Sequence, residues 1–202
     1  GKSPGVTMAE EEVIDGFTVR NVGRYDEALW QKHWEERGEN QDHIGGFSLP
    51  GIGADGVSCW ITNCLVHHNG HTGIAIRGKK NSPVHVLVTD NVTFRNNRAG
   101  LFGGGVYLSS GTAALQLLGA SSWSNNTVVG GARGDHLYSA SGGSVALGGA
   151  ALHLSGDPTR VREGIVIGPQ AGEVTWGGAA VTSTVGDDVS SGNGAILPLG
   201  RG

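Results

Sequence analysis

Cysteine is nearly missing from this chain: Cys59 and Cys64 are the only two in 202 residues. They do not make a disulfide framework, and a structural zinc site would need a second pair, so both are expected as small apolar core residues. Charge is scarce as well. At 16% charged residues and a net charge of −4 there is no basic face to follow a phosphate backbone, and nucleic acid is not an expected partner. No apolar run approaches the length of a bilayer crossing, so membrane insertion is not expected. The opening Gly1-Lys2-Ser3-Pro4 carries no signal-peptide pattern. Nor does any cluster of residues ask for a cofactor.

Glycine is the residue present in excess, at 37, without a Gly-X-Y period. With 38% hydrophobic residues the chain is too apolar for low complexity, so the glycines must serve turns. Short runs such as His85-Val86-Leu87-Val88 and Ala114-Leu115-Gln116-Leu117 stand between Gly, Asn and Ser, as strands between turns do. The chain therefore reads as all-β.

A repeat sharpens that reading. Six blocks align, from Ile14-Asp15-Gly16-Phe17-Thr18-Val19 to Trp176-Gly177-Gly178-Ala179-Ala180-Val181. Their last apolar positions are Val19, Val66, Phe94, Trp123, Leu152 and Val181, separated by 47, 28, 29, 29 and 29 residues. Asn69, Asn97 and Asn126 follow three of them at a constant offset. An asparagine at a repeated corner can bond its counterpart in the next block and tolerates the left-handed conformation. Glycine-led strands come after the corners, at Gly73-Ile74-Ala75-Ile76, Gly105-Val106-Tyr107-Leu108, Gly164-Ile165-Val166-Ile167 and Gly194-Ala195-Ile196-Leu197. Strands and turns in about 29 residues make one rung of a β-solenoid, shorter than a propeller blade and without the leucine-rich repeat pattern. The expected fold is a right-handed parallel β-helix over residues 1–202, a single domain, with an insertion at about 24–48.

Within the insertion, residues 26–38 have an acidic start, apolar Leu29, Trp30 and Trp34, and a terminal Gly38, which predicts a short amphipathic helix. Trp30 and Trp34 lie one turn apart, placed either to seal a side of the solenoid or to serve as a ligand platform.

These residues resemble the secreted right-handed β-helix repeat proteins of the pectin-lyase-like superfamily. The resemblance rests on Ile14-Asp15-Gly16-Phe17-Thr18-Val19-Arg20-Asn21 and on Val92-Thr93-Phe94-Arg95-Asn96-Asn97-Arg98-Ala99 followed by Gly103-Gly104-Gly105-Val106-Tyr107-Leu108. The F-x-x-N at Phe94 to Asn97, with Gly148-Gly149-Ala150 and Gly177-Gly178-Ala179, is also similar to polymorphic outer-membrane autotransporter passengers. The resemblance implies an extracellular or cell-surface location and a polysaccharide or a neighbouring protein segment as partner.

Chemistry on such a fold is sought in columns of outward side chains. The position after the apolar column reads Arg20, His67, Arg95, Ser124, His153, Thr182. Arg20, His67 and Arg95 are the candidate ligand-binding residues, because guanidinium groups pair carboxylates and sulfates of an acidic glycan. Asp15 and Asp90 are the candidate catalytic carboxylates; sharing one position two rungs apart, they would stand about 9–10 Å from each other, near the spacing of an inverting glycosidase pair. The run His67-His68-Asn69-Gly70-His71 invites a metal, but adjacent strand residues face opposite ways, so no metal site is expected. Two functions follow: a structural or adhesive segment that binds acidic glycans, or a polysaccharide lyase, glycoside hydrolase or epimerase. The chain is also expected to be part of a longer repeat protein, with end-to-end contacts to its parent chain or to another subunit.

Overall fold

The computed structural model describes residues 4–38, 49–79, 84–109, 113–129, 134–139, 144–146, 150–155, 163–167, 174–175, 180–183 and 187–191. It consists mostly of parallel β-sheet with one short helix, and the strands recur in a cyclic order through three ladders. The first ladder joins β1 (Val6–Thr7), β4 (Ile52–Asp55), β7 (Ile74–Arg77), β10 (Val106–Leu108), β12 (Leu137–Ser139), β15 (Glu163–Ile167) and β18 (Asp187–Ser191). The second joins β2 (Glu12–Asp15), β5 (Cys59–Thr62), β8 (Val84–Thr89), β11 (Ala113–Ser124), β13 (Ser144–Ala146) and β16 (Val174–Thr175). In the third are β3 (Thr18–Arg20), β6 (Leu65–His67), β9 (Val92–Arg95), the second half of β11, β14 (Ala150–Ser155) and β17 (Ala180–Ser183). Strand β11 thus serves two ladders, bending at Gly119, whose φ is 69°.

Apolar alternation is what holds these strands in register, since a slip of one residue would turn every inward side chain to solvent. In β8, Val84, Val86 and Val88 are buried, and in the facing half of β11 so are Ala113, Leu115 and Leu117. The first ladder stacks Ile52, Ile74, Val106, Leu137 and Ile165 as direct register partners, all fully buried. Each contributes roughly 1.5–3 kcal/mol by leaving water. In the third ladder the column runs Val19, Val66, Phe94, Trp123, with the Phe94 and Trp123 ring centroids 4.3 Å apart.

That column departs from the expected one at its far end. Trp123 pairs with Leu154, and Leu154 with Ser183; Leu152 and Val181 pair with each other but stand two residues earlier in their strands. The step from Trp123 to Leu154 is therefore 31 residues, two more than the period read from the sequence. A slip of two preserves the period-2 alternation, which is why Leu152 offered a misleading match in the sequence.

The corners divide labour between adjacent residues. Asn21, His68, Asn96 and Asn125 carry the left-handed conformation, with φ of 57°, 53°, 52° and 50°. The expected corner asparagines, one residue later, are instead buried and bonded: Asn69 Nδ2 donates to Asn97 Oδ1 at 2.9 Å, and Asn97 Nδ2 to Asn126 Oδ1 at 2.9 Å. Each also donates to the carbonyl of an apolar-column residue, Val19, Val66 or Phe94. The ladder ends on His136, whose Nδ1 lies 3.1 Å from Asn126 Nδ2 and accepts from it. That assignment leaves the proton on the buried Nε2, which has no partner at full hydrogen-bond distance and only the weaker pull of the Ser155 carbonyl.

The insertion forms α1 (Glu27–Arg37). Asp26 caps it by accepting from the Leu29 N–H at 3.1 Å, and the Gly38 N–H closes it on the Trp34 carbonyl at 2.8 Å. Trp30 is buried in a second apolar cluster with Ala99, Leu101, Phe102, Tyr107, Val128, Val129 and Tyr138, against which Tyr25 and Trp34 pack. Both tryptophans thus help seal the outer side of the first ladder. Gly100 is required there, since a Cβ on it would run into the Trp30 indole. The glycine-led strands at 73–76, 105–108 and 164–167 appear as β7, β10 and β15, while 194–197 lies outside the described residues.

Candidate functional site

The third ladder brings Arg20, His67 and Arg95 together as consecutive register partners. They alternate with the inward column, so the row lies on the outer side, with adjacent strands about 4.8 Å apart. Both arginines are exposed, and His67 between them is buried. Ser124 and Ser155 continue the row; His153 does not, since it pairs with Ser122 and Thr182 under the two-residue slip. The pKa of His67 is lowered by its burial, then by His68, Arg95 and Arg20. It is neutral at pH 7 and would gain a proton when an anion offsets the neighbouring guanidinium charges.

Beside the row runs a polar groove of about 680 Å³ lined by Asn21, Gly23, Tyr25, His68, Asn69, Gly70, Asn96, Arg98, Asn125 and Thr127. Its floor includes the left-handed corner residues, and the Arg98 guanidinium lies 5.7 Å from the centroid of the Tyr25 ring. His68 connects groove and row, its ring meeting that of His67 edge-on at 4.8 Å with the two Nδ1 atoms 2.6 Å apart. The period alone does not show the groove. Its signal was the residue just before each ladder asparagine, in the pairs His68-Asn69, Asn96-Asn97 and Asn125-Asn126.

Asp15 and Asp90 do not share a row. Asp15 aligns with Thr62, and Thr62 with Thr89, so Asp90 falls one residue further, in the turn between β8 and β9 with φ of 48°. Gly16, Asn63 and Gly119 hold the same left-handed conformation at equivalent turns. Asp15 accepts from Asn63 Nδ2 at 2.9 Å, while the Asp90 carbonyl accepts from the Asn63 N–H at 2.8 Å. Asp15 thus bonds a neighbouring turn through its side chain and Asp90 through its backbone carbonyl.

Cys59 and Cys64 are buried free thiols. Burial first, then Glu10 and Glu12, raises the Cys59 pKa to about 11, and Cys64 Sγ donates to the Thr62 carbonyl at 3.0 Å. Both are core residues with no reactive thiolate. His71 stands apart from His67 and His68, beside Trp30, and among the described residues no three metal-ligating side chains converge. No helix among the described residues is long and apolar enough to cross a membrane.

Comparison with protein-family models, with curated proteins and with solved structures returned no match, so the chemistry rests on the side chains themselves.

Proposed function

We propose that this chain is a right-handed parallel β-helix segment of an extracellular or cell-surface protein, with a structural or adhesive role, that binds an acidic glycan along Arg20, His67 and Arg95. The observation that carries the reading is the register: Arg20 pairs with His67 and His67 with Arg95, an unbroken row of three basic groups in a chain of net charge −4. The two guanidinium groups flank a neutral His67, and an anion lying across the row can pair with both of them. The neighbouring groove adds amide and imidazole groups that suit the hydroxyls of a sugar chain. For the handedness, the support is general: a connection between parallel strands of one sheet is right-handed in about 98% of cases.

The test is binding to an acidic polysaccharide such as polygalacturonate or a sulfated glycan, measured by calorimetry. Binding should weaken with added salt, tighten as the pH falls because His67 takes up a proton, and disappear in Arg95→Glu. Undiminished affinity in Arg95→Glu would remove the row as the site.

A further inference from the structure

The second and third ladders meet at a corner and carry opposite charge. Strands β3, β6, β9, β14 and β17 and the second half of β11 hold no aspartate or glutamate. Strands β2, β5, β8, β13 and β16 and the first half of β11 hold no lysine or arginine, while Glu12 and Asp15 lie in β2 and Asp90 directly follows β8. The second ladder is also where the sheet surface is most apolar. Among the described residues, Val13 and Trp60 are the only strand positions with a large exposed apolar side chain, at 55% and 41%. They are neighbours in one outward row, since Val13 pairs with Trp60 and Trp60 with the half-buried Leu87. Gln116, the partner of Leu87, ends the apolar part of that row.

Trp60 is held in place. Its Nε1 donates to Thr89 Oγ1, on the next rung, at 2.6 Å. The indole is therefore drawn along the sheet toward β8, and Thr62 and Thr89, which point outward by alternation, are buried on an otherwise exposed face. Indole has one donor, and here it is already used, so what the ring offers to solvent is its electron-rich face. A ring fixed in this way gives up little rotamer freedom when a partner settles on it.

We propose that this face docks a basic segment of a partner protein, with an arginine or lysine side chain laid over Trp60. Tryptophan is the aromatic ring that attracts a cation most strongly, and arginine is its commonest partner. The aliphatic stem of such a side chain packs on Val13 or Leu87, while its charged head stays near carboxylates. Asp15 aligns with Thr62, two residues along the strand from Trp60, and Asp90 follows the threonine that holds the ring; both are exposed. An acidic segment would meet these carboxylates with no lysine or arginine on the strands to offset them, and a purely apolar one would gain nothing from them. The surface is independent of the basic row on the third ladder and does not rest on its reading as a glycan site.

The probe is tetra-arginine blocked at both ends, titrated into the folded chain by calorimetry to about 10 mM, the range of weak binding. Tetra-citrulline, of the same shape without the charge, is its control. Tetra-arginine should bind, less tightly as salt is added, and tetra-citrulline should not. Trp60→Leu keeps an apolar cover over the threonines but removes the ring face, and should weaken binding about fivefold. Asp15→Asn combined with Asp90→Asn keeps an acceptor for Asn63 and a residue that tolerates the left-handed turn, so it should weaken binding while the circular dichroism is unchanged. Arg95→Glu, on the other face, should not weaken it. Failure of tetra-arginine to bind, equal binding of tetra-citrulline, undiminished affinity in Trp60→Leu or in the double aspartate variant, or a preference of Trp60 for a neutral sugar such as maltotetraose would each overturn the proposal.

Discussion

Two apolar regions of this molecule are equally dry and are specified in different ways. The inner stack, from Val19 through Val66 and Phe94 to Trp123, is made of one position used again in each rung, so every member after Val19 has an apolar neighbour on either side. The outer cluster around Trp30 uses each residue once: a helix from an insertion, a loop at Ala99 to Phe102, and the outward faces of Tyr107 and Tyr138. A repeated column spreads its packing over many rungs and tolerates loops of different length at the corners. An assembly of unique parts depends on single fits, and it is the one that leaves a cavity and two unpaired nitrogens at its edge.

The strongest way to break the comparison is at Phe94. It is fully buried against Trp123, so Phe94→Ala opens a void between filled rungs and should cost about 3–5 kcal/mol in a urea denaturation series. The loss should appear in one cooperative transition, and a value below about 1 kcal/mol would mean that the stack rearranges around the gap. Gly100→Ala is the counterpart in the outer cluster. Its new methyl overlaps the Trp30 indole, for which overpacking costs of about 1–3 kcal/mol are typical. Here hydrogen exchange should rise in α1 before it rises in β8 or β9; simultaneous loosening of both would show that the two regions fold as one unit.

Much of the inner region could be read from the residues, and almost none of the outer. Period and alternation are carried by side chains that recur, so the columns at Val66, Phe94 and Trp123 and the asparagines beside them were visible without coordinates. The slip at Leu152 and Leu154 was not, because both are apolar and stand two positions apart in one strand, so either satisfies the alternation. Asp90 was misplaced for a related reason: a turn residue and the last strand residue are adjacent in sequence, and only the register separates Asp90 from Thr89. The row of Arg20, His67 and Arg95 was legible because it rides on the same period. The cavity under α1 was not, since it depends on the place where the helix lands.

Acid should separate the regions more gently. Burial lowers the His136 pKa to about 3, against the partly opposing Ser155 carbonyl, and burial lowers His71 to about 4; both would titrate near 6.5 once unfolded. Their contribution is complete above pH 6.5 and is lost as the pH falls through that window, because the unfolded chain then binds more protons. His136→Asn supplies Asn126 with another amide acceptor and removes one of those protons. It should therefore leave the urea midpoint at pH 7 nearly unchanged and make the decline between pH 6 and 4 shallower. An unaltered slope would assign the acid sensitivity elsewhere.

The asparagine ladder has one more consequence, a mechanical one. Each of its amides donates to the next member of the ladder and to a column carbonyl of the rung before, along the same line as the backbone bonds of the parallel strands beside them. Tension applied along that line loads the bonds of a whole rung side by side, so that they must fail together. Tension applied to a single strand across it would peel them one at a time. The three joined asparagines would therefore hold their rungs against tension along that line better than the turns that lack such a bond.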